Sequence, residues 1–422
     1  MNNKLLVSFL PKTLLVAFML FVGCFAHAEI LYVVNSQSRT LSRIDTVSDA
    51  VNNSFATLGN VPNKIVVDEN YIWSVNSGDN AVQKISRATG ASLTNIHLGN
   101  GSNPWDAVKH EDNLYVSGLF TGKVYKVDTI SGSVTASVNV GTAPEALLVM
   151  GDRLYVSNAG NYAQNYAGSS VSVIDLASFT VVATIPVHKN PQYLATHNGL
   201  LHVSCTGNWT DVGGAICIID PESNSLIHTI EVGGTPGCIW IQSAERGLVA
   251  DSNGASLFSY HPVSFSLLHG SSNPIANGGS EIVGNANMLA VLSPAWGGNG
   301  TVKLLHPDLS ANKQYTVGLM PTDMKLEISS SSNDDLVMQV NSIAAYPNPV
   351  RQGASLKLVS SDLLRGRLNI YNIKGQAVAS YGVFGKSLEL PRLNLPSGIY
   401  FYRLQEDHSA KQQFSGKFIV LN

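Results

Sequence analysis

The stretch "LYVSNAG", residues 154–160, is a short apolar strand that runs into a Gly-containing turn. Near copies recur along the chain: "LYVVNSQ" from Leu31, "IWSVNSG" from Ile72, "LYVSGLF" from Leu114, "LHVSCTG" from Leu201, "LVADSNG" from Leu248 and "LAVLSPA" from Leu289. Successive starts are 41, 42, 40, 47, 47 and 41 residues apart. One unit reads clearly around residues 144–187. "PEALLVMGD" is a first strand, "RLYVSNAG" a second, "SSVSVIDLAS" a third and "TVVATIPV" a fourth.

A period in the forties with four short strands per unit is the pattern of propeller blades. The third strand ends in Asp before a turn at Asp45, Asp128, Asp175 and Asp220, where the carboxylate is expected to cap the turn. First strands carry a Pro marker: "NVPNKIVVD", "SNPWDAVKH", "TAPEALLVM", "KNPQYLATH", "GTPGCIWIQ", the degenerate "NGGSEIVGN" and "LMPTDMKLE". The two series are offset. "LYVVNSQ" has no first strand before it, and "PTDMKLEI" has no second strand behind it. Pairing these orphans predicts an all-β, seven-bladed β-propeller with circular closure, in which residues near 321–328 complete the blade of residues 30–58. Closure also removes open sheet edges.

Only 13% of residues are charged and the formal net charge is -3, which argues against a nucleic-acid partner, because that function calls for a basic patch. A hydrophobic content of 44% supports a packed core. At the N-terminus, Lys4 and Lys12 precede the apolar run "TLLVAFMLFVGCFA" and a small-x-small "AHA" at 26–28. This reads as a signal peptide over 1–28, with the mature chain starting near Glu29. "FVGC" around Cys24 is the rival lipoprotein reading, with Phe21 a poor fit to it. No later segment is apolar enough for a transmembrane span. Cys205, Cys217 and Cys238 remain. Export permits a Cys205–Cys217 disulfide between neighbouring strands, and the alternative is small buried core residues.

After Glu327 the composition changes. "SSSSNDD", 329–335, opens a polar linker (329–342), and residues 343–422 show alternating runs broken by "KGQ" and "PSG" turns, as a small β-sandwich would. The pattern "LYVSN-G…-SVID…-T-VATIPVG-NP" resembles the YVTN type of seven-bladed propeller, with its NHL-like and surface-layer relatives, over residues 29–328. The tail resembles the C-terminal sorting domain of type IX secretion. It has "YPNP" at Tyr346–Pro349, "IYNIKGQAV" at 370–378, "LPSGIYFYRL" at 395–404 and a terminal "KFIV", in the family's order. That resemblance implies recognition by the outer-membrane translocon, then release or surface attachment. Propeller folds host many activities, so the first resemblance implies a fold and not a function.

In a propeller the residues after the Pro marker converge on the channel mouth. Here they are Asn63, Lys64, Trp105, Asp106, Glu145, Gln192, Tyr193, Cys238, Glu281, Thr322 and Asp323. Long loops after three second strands, "NAGNYAQNYAGSS", "CTGNWTDVGGA" and "SPAWGGNG", are expected to bring Tyr162, Tyr166, Trp209 and Trp296 to the same face. Aromatics in Gly/Asn loops suit stacking on a sugar or another flat molecule. The acids are also able to hold a divalent cation through oxygen ligands. The chain shows no "HExxH", "GxSxG", P-loop or paired-Cys metal motif. The expected function is therefore an exported module that binds a glycan, a peptide or a cofactor-like small molecule. A metal-assisted lyase or hydrolase at the mouth is the first alternative, and a structural surface protein the second.

Overall fold

A computed structural model of the chain describes residues 29–327 except 254 and 296, and residues 344–421 except 347–349, 373, 375, 391–394 and 407–412. The expected signal peptide, the expected linker and Trp296 lie outside the described residues. The chain divides into two compact units, Met1–Ser329 and Ser330–Asn422.

The described part of the first unit consists of seven four-stranded antiparallel sheets. Six are built from consecutive strands. The fourth, for example, runs Pro144–Met150, Arg153–Asn158, Ser170–Asp175 and Thr180–Pro186 in spatial order. The exception is the sheet ordered Pro321–Glu327, Ile30–Asn35, Thr40–Asp45, Ala50–Thr57, in which Leu31 pairs with Leu326 and Val33 with Met324. Two segments nearly 300 residues apart thus share one ladder.

Second strands read as continuous apolar runs because both of their faces are covered. Leu31 and Val33 pack with Leu292, Val302 and Val317 of the last sheet, while Tyr32 and Val34 pack with Ile65, Ile72 and Ile85 of the next. The same alternation continues along the chain, so that each hydrophobic cluster lies between two consecutive sheets. Trp73 packs with Leu114, Tyr155 with Val203, and Leu248 with Leu289. The seven first strands touch one another in cyclic order.

The polar letters of the quoted strand have their own tasks. Its Ser fills a bulge: the Ala146 N–H donates to Ser157 Oγ at 2.9 Å, and the Asp106 N–H donates to Ser117 Oγ at 3.1 Å. Its Asn is fully buried and ties the turn before the first strand to the third strand. Asn158 Oδ1 accepts from the Gly141 N–H at 3.0 Å, and Nδ2 donates to Ser172 Oγ at 3.0 Å. Asn35 repeats this with Gly318 and Ser42. The glycine is required by the close approach, because a Cβ on Gly141 would stand 2.5 Å from Asn158 Cγ. Asn158→Ala strands the Gly141 N–H and should cost about 1–3 kcal/mol in urea-unfolding free energy. An unchanged midpoint and slope would show that the knot is dispensable.

Asp45, Asp128, Asp175 and Asp220 cap their turns. Asp128 Oδ1, for instance, accepts the N–H groups of Ile130 at 3.1 Å and Ser131 at 2.6 Å. Such bonds hold all four carboxyls below their ordinary pKa. Cys205 and Cys217 are buried free thiols with their sulfurs 3.8 Å apart. Cys205 pairs with Ala215 and Cys217 with Val203, so the two cysteines stand diagonally on one sheet face rather than opposite each other.

In the second unit six strands form one hydrogen-bonded sheet. The strand Leu356–Tyr371 pairs with Ala377–Leu390 along its length, with Ala344–Tyr346 near its start and with Gly398–Glu406 near its end. Val350, Leu368, Ile370, Tyr402, Leu404, Phe418 and Val420 belong to its apolar core.

Candidate functional site

The residues that follow the Pro marker sit where the ladder is interrupted. In six first strands the register shifts just after the proline: between Pro62 and Lys64, Pro104 and Ala107, Pro144 and Leu147, Pro191 and Tyr193, and Pro236 and Ile239, and opposite Val34/Asn35 in Pro321–Glu327. Five of the residues before these prolines (Val61, Asn103, Ala143, Asn190 and Met320) hold a left-handed φ of 44–61°. A bulge bends its strand and re-aims side chains. Here it frees Trp105, Asp106, Glu145, Gln192 and Thr322 from regular pairing.

These residues line a cavity of about 780 Å³ at the centre of the first strands. Of the residues expected at the mouth, it brings together Asn63, Lys64, Trp105, Asp106, Glu145, Gln192, Tyr193, Cys238, Glu281 and Thr322. A second ammonium, that of Lys325, also faces it. The sequence reading missed Lys325, although its position two residues after Asp323 on one strand is a usable signal, because alternate residues share a face.

The charges are tightly paired. Lys64 makes an ion pair with Glu281, stands 3.4 Å from Asp323 Oδ1 and lies 4.8 Å from the centre of the Tyr193 ring. The Tyr193 hydroxyl donates to Glu281 Oε1 at 3.0 Å. Burial opposes the Lys64 charge, but Glu281, Asp323 and Asp106 outweigh it and carry the ammonium well above its ordinary pKa. Asp106 and Glu145 go the other way. Burial pushes Asp106 above its ordinary range despite Lys64 and Lys325. Burial pushes Glu145, only 8% exposed, up to about 8 against the pull of Lys64. The mouth thus combines paired ammoniums with carboxyls that burial favours in their neutral, hydrogen-bonding form.

Two of the expected site residues stand elsewhere. Asp323 is completely buried. It accepts the Ile65 N–H at 2.8 Å and Lys325 Nζ at 2.9 Å, and the two ammoniums hold its pKa below the ordinary range although burial alone would raise it. It acts as a clamp between two first strands and not as an open ligand. Trp209 does not line the cavity. Its loop turns back on Asn208, whose Oδ1 accepts the N–H groups of Thr210, Asp211 and Val212, and Trp209 sits at φ +65°, 40% exposed, beside Tyr166. Tyr162 and Tyr166 border a neighbouring cavity of about 490 Å³, which shares Glu145 and Gln192 with the first. Among the described residues no group of three or more His, Cys, Asp or Glu is placed to hold a metal ion, and no helix is long and apolar enough to cross a membrane.

Residues 344–421 match the family model of the secretion system C-terminal sorting domain. No curated protein matches the chain. Among solved structures, hydrazine synthase of Kuenenia stuttgartiensis is similar with a TM-score of 0.51 at 13% identity, over 62% of this chain and 88% of that one. Apo AztD from Citrobacter koseri covers 71% of this chain and 98% of its own at 14% identity, with a TM-score of 0.47. The computationally designed Ika8 protein covers 85% and 96% at 12% identity, also with a TM-score of 0.47. At such identities only the fold is informative. Residues 344–421 are therefore a secretion system C-terminal sorting domain, the type IX tail of an exported surface or secreted protein, and the unit before it has a propeller-like all-β fold.

Proposed function

We propose that the protein is an exported binding module: a seven-bladed β-propeller of YVTN type, closed circularly, that takes a small molecule, glycan or peptide at its channel mouth. Closure is supported by the shared ladder of Ile30–Asn35 and Pro321–Glu327 and by the cyclic contacts of the first strands. Binding is supported above all by one observation. The bulges of separate sheets deliver an aromatic ring, the buried carboxyl of Glu145, the Asp106 carboxyl and paired ammoniums into a single cavity of about 780 Å³, within the size range of small-molecule sites. Residues 1–28 direct Sec export, and the tail then carries the propeller through the type IX translocon to be released or attached.

Purified chain lacking residues 1–28 should bind at least one member of a glycan, peptide and metabolite panel, with and without EDTA, and without turnover. Turnover abolished by EDTA would instead support a lyase or hydrolase at the mouth. That second reading rests on Glu145, whose pKa of about 8 suits a proton donor at neutral pH.

Deleting residues 343–422 should leave the melting of the first unit within about 1 °C, since the second unit is compact by itself and has its own apolar core. In a type IX host the truncated chain should remain in the periplasm. Normal surface delivery without the tail would overturn the sorting role.

A further inference from the structure

Beside the channel mouth, the cavity of about 490 Å³ has two unlike sides. One is aromatic: Phe120, Tyr162 and Tyr166 border it, and Phe120 and Tyr162 are 73% and 76% exposed. Exposed rings gathered around one cavity mark a binding surface where isolated ones would not. The Tyr162 and Tyr166 rings meet edge to face with centroids 5.6 Å apart, so each supports the other's orientation. The loop carrying them is fastened from outside by Asn208 Nδ2, which donates to Asn165 Oδ1 at 3.0 Å, and by Lys189 Nζ, which donates to the Asn165 carbonyl at 2.7 Å.

The other side is polar, with Glu145 and Asn190 buried and Gln192 half-buried. Glu145 and Gln192 line it together with Asn190. Asn190 is completely buried. Its Oδ1 accepts from Gln192 Nε2 at 3.3 Å, but its Nδ2 has no partner among the described residues. A buried N–H without an acceptor costs free energy comparable to a lost hydrogen bond, so this donor calls for an acceptor brought by a ligand.

We propose that this cavity is a carbohydrate subsite, in which a pyranose ring lies on the tyrosine and phenylalanine faces and turns its hydroxyls to Asn190 Nδ2, Gln192 and the Glu145 carboxyl. Three features choose the sugar over other flat or charged ligands. A quaternary ammonium would use the aromatic rings but offers no acceptor to Asn190. A purely apolar ring would leave Asn190 Nδ2 without an acceptor. Sugar hydroxyls both donate and accept, which suits the free Asn190 Nδ2 donor together with the Glu145 carboxyl. The assignment rests on the binding-module reading above and names its ligand class.

The test uses the chain without residues 1–28 and a panel of glucose-, galactose-, mannose- and N-acetylglucosamine-terminated oligosaccharides, read by calorimetry with thermal melting in parallel. At least one oligosaccharide should bind. Tyr162→Ala should weaken it about five- to a hundredfold, the range for loss of an aromatic stacking platform, with melting unchanged because the ring is exposed. Asn190→Asp, which replaces the donor with an acceptor, should weaken it at least tenfold. Asn190→Ser, a smaller donor, should recover part of the loss. Saccharide binding that ignores both Tyr162→Ala and Asn190→Asp would overturn the subsite while leaving the channel mouth as a binding site. Binding of peptides or metabolites but of no saccharide would overturn the ligand class alone, and absence of any ligand from the wider panel would count against the binding reading itself.

Discussion

Asp323→Ala should lower the unfolding free energy by about 3–5 kcal/mol, the cost of removing one partner from a buried charge cluster. The carboxylate has no exposure, and it accepts the Ile65 N–H at 2.8 Å and the Lys325 ammonium at 2.9 Å, with Lys64 at 3.4 Å. Its loss leaves two ammoniums in the channel with less counter-charge and a buried N–H without its acceptor. Because Asp323 is on Pro321–Glu327 and Ile65 on Pro62–Val67, the clamp also holds the chain's last first strand beside the next one. Lys313→Ala is the control. Lys313 also pairs with an aspartate, Asp49, at 2.8 Å, but both groups are exposed, so it should cost no more than about 1 kcal/mol.

The pH dependence has a definite sign. The folded Asp323 carboxyl titrates below its ordinary value. Its contribution is therefore fully present above the ordinary carboxylate range and is lost as pH falls through the folded value. The gap between wild type and Asp323→Ala should be full at pH 7 and shrink in acid. Equal urea midpoints for the two proteins at pH 7 would refute the clamp.

Glu145→Gln should do the opposite and stabilise the protein. The unfolded chain releases this proton near its ordinary value of 4.5, whereas burial makes the folded chain keep it to about 8. Between those values the folded state holds the extra proton, so the Glu145 contribution is intact below the lower value and lost as pH rises through the upper one. The shift corresponds to roughly 3–5 kcal/mol by pH 8. Gln is nearly isosteric and cannot ionise. The variant should therefore match the wild type near pH 4.5 and exceed it progressively up to pH 8, read as the difference between two melting series. Parallel series across that range would show that Glu145 ionises freely. A stabilising substitution at a cavity-lining residue is the behaviour expected where a site is kept at some cost to the fold.

The repeat period, the order of strands within a unit and the offset of the two strand series are all legible in the sequence, because each depends on local patterning that alternation and turn chemistry impose. Leu154, Val156 and Asn158 announce a buried second strand wherever they recur. The sorting tail is equally legible, since its turns and strands follow a fixed order from Tyr346 to Val420. The convergence of Trp105, Asp106, Glu145 and Gln192 could be anticipated from their common place after a Pro marker.

What the sequence could not decide is which of these converging groups remains available. Asp323 and Glu281 look alike as letters beside a first strand. Only the three-dimensional arrangement puts Asp323 under two ammoniums and a backbone N–H while leaving Glu281 on the cavity with Tyr193 and Lys64. Trp209 reads like a mouth residue, but it does not line the central cavity and follows Asn208, onto which the next three backbone N–H groups fold back. The second cavity was invisible for the same reason. Phe120, Tyr162 and Asn190 come from three separate loops, and neither a pocket nor an unpartnered donor exists until packing sets those loops side by side. Periodicity is a property of the chain and can be read along it. Desolvation, ion pairing and enclosure depend on neighbours distant in sequence, so they were settled only by the tertiary structure.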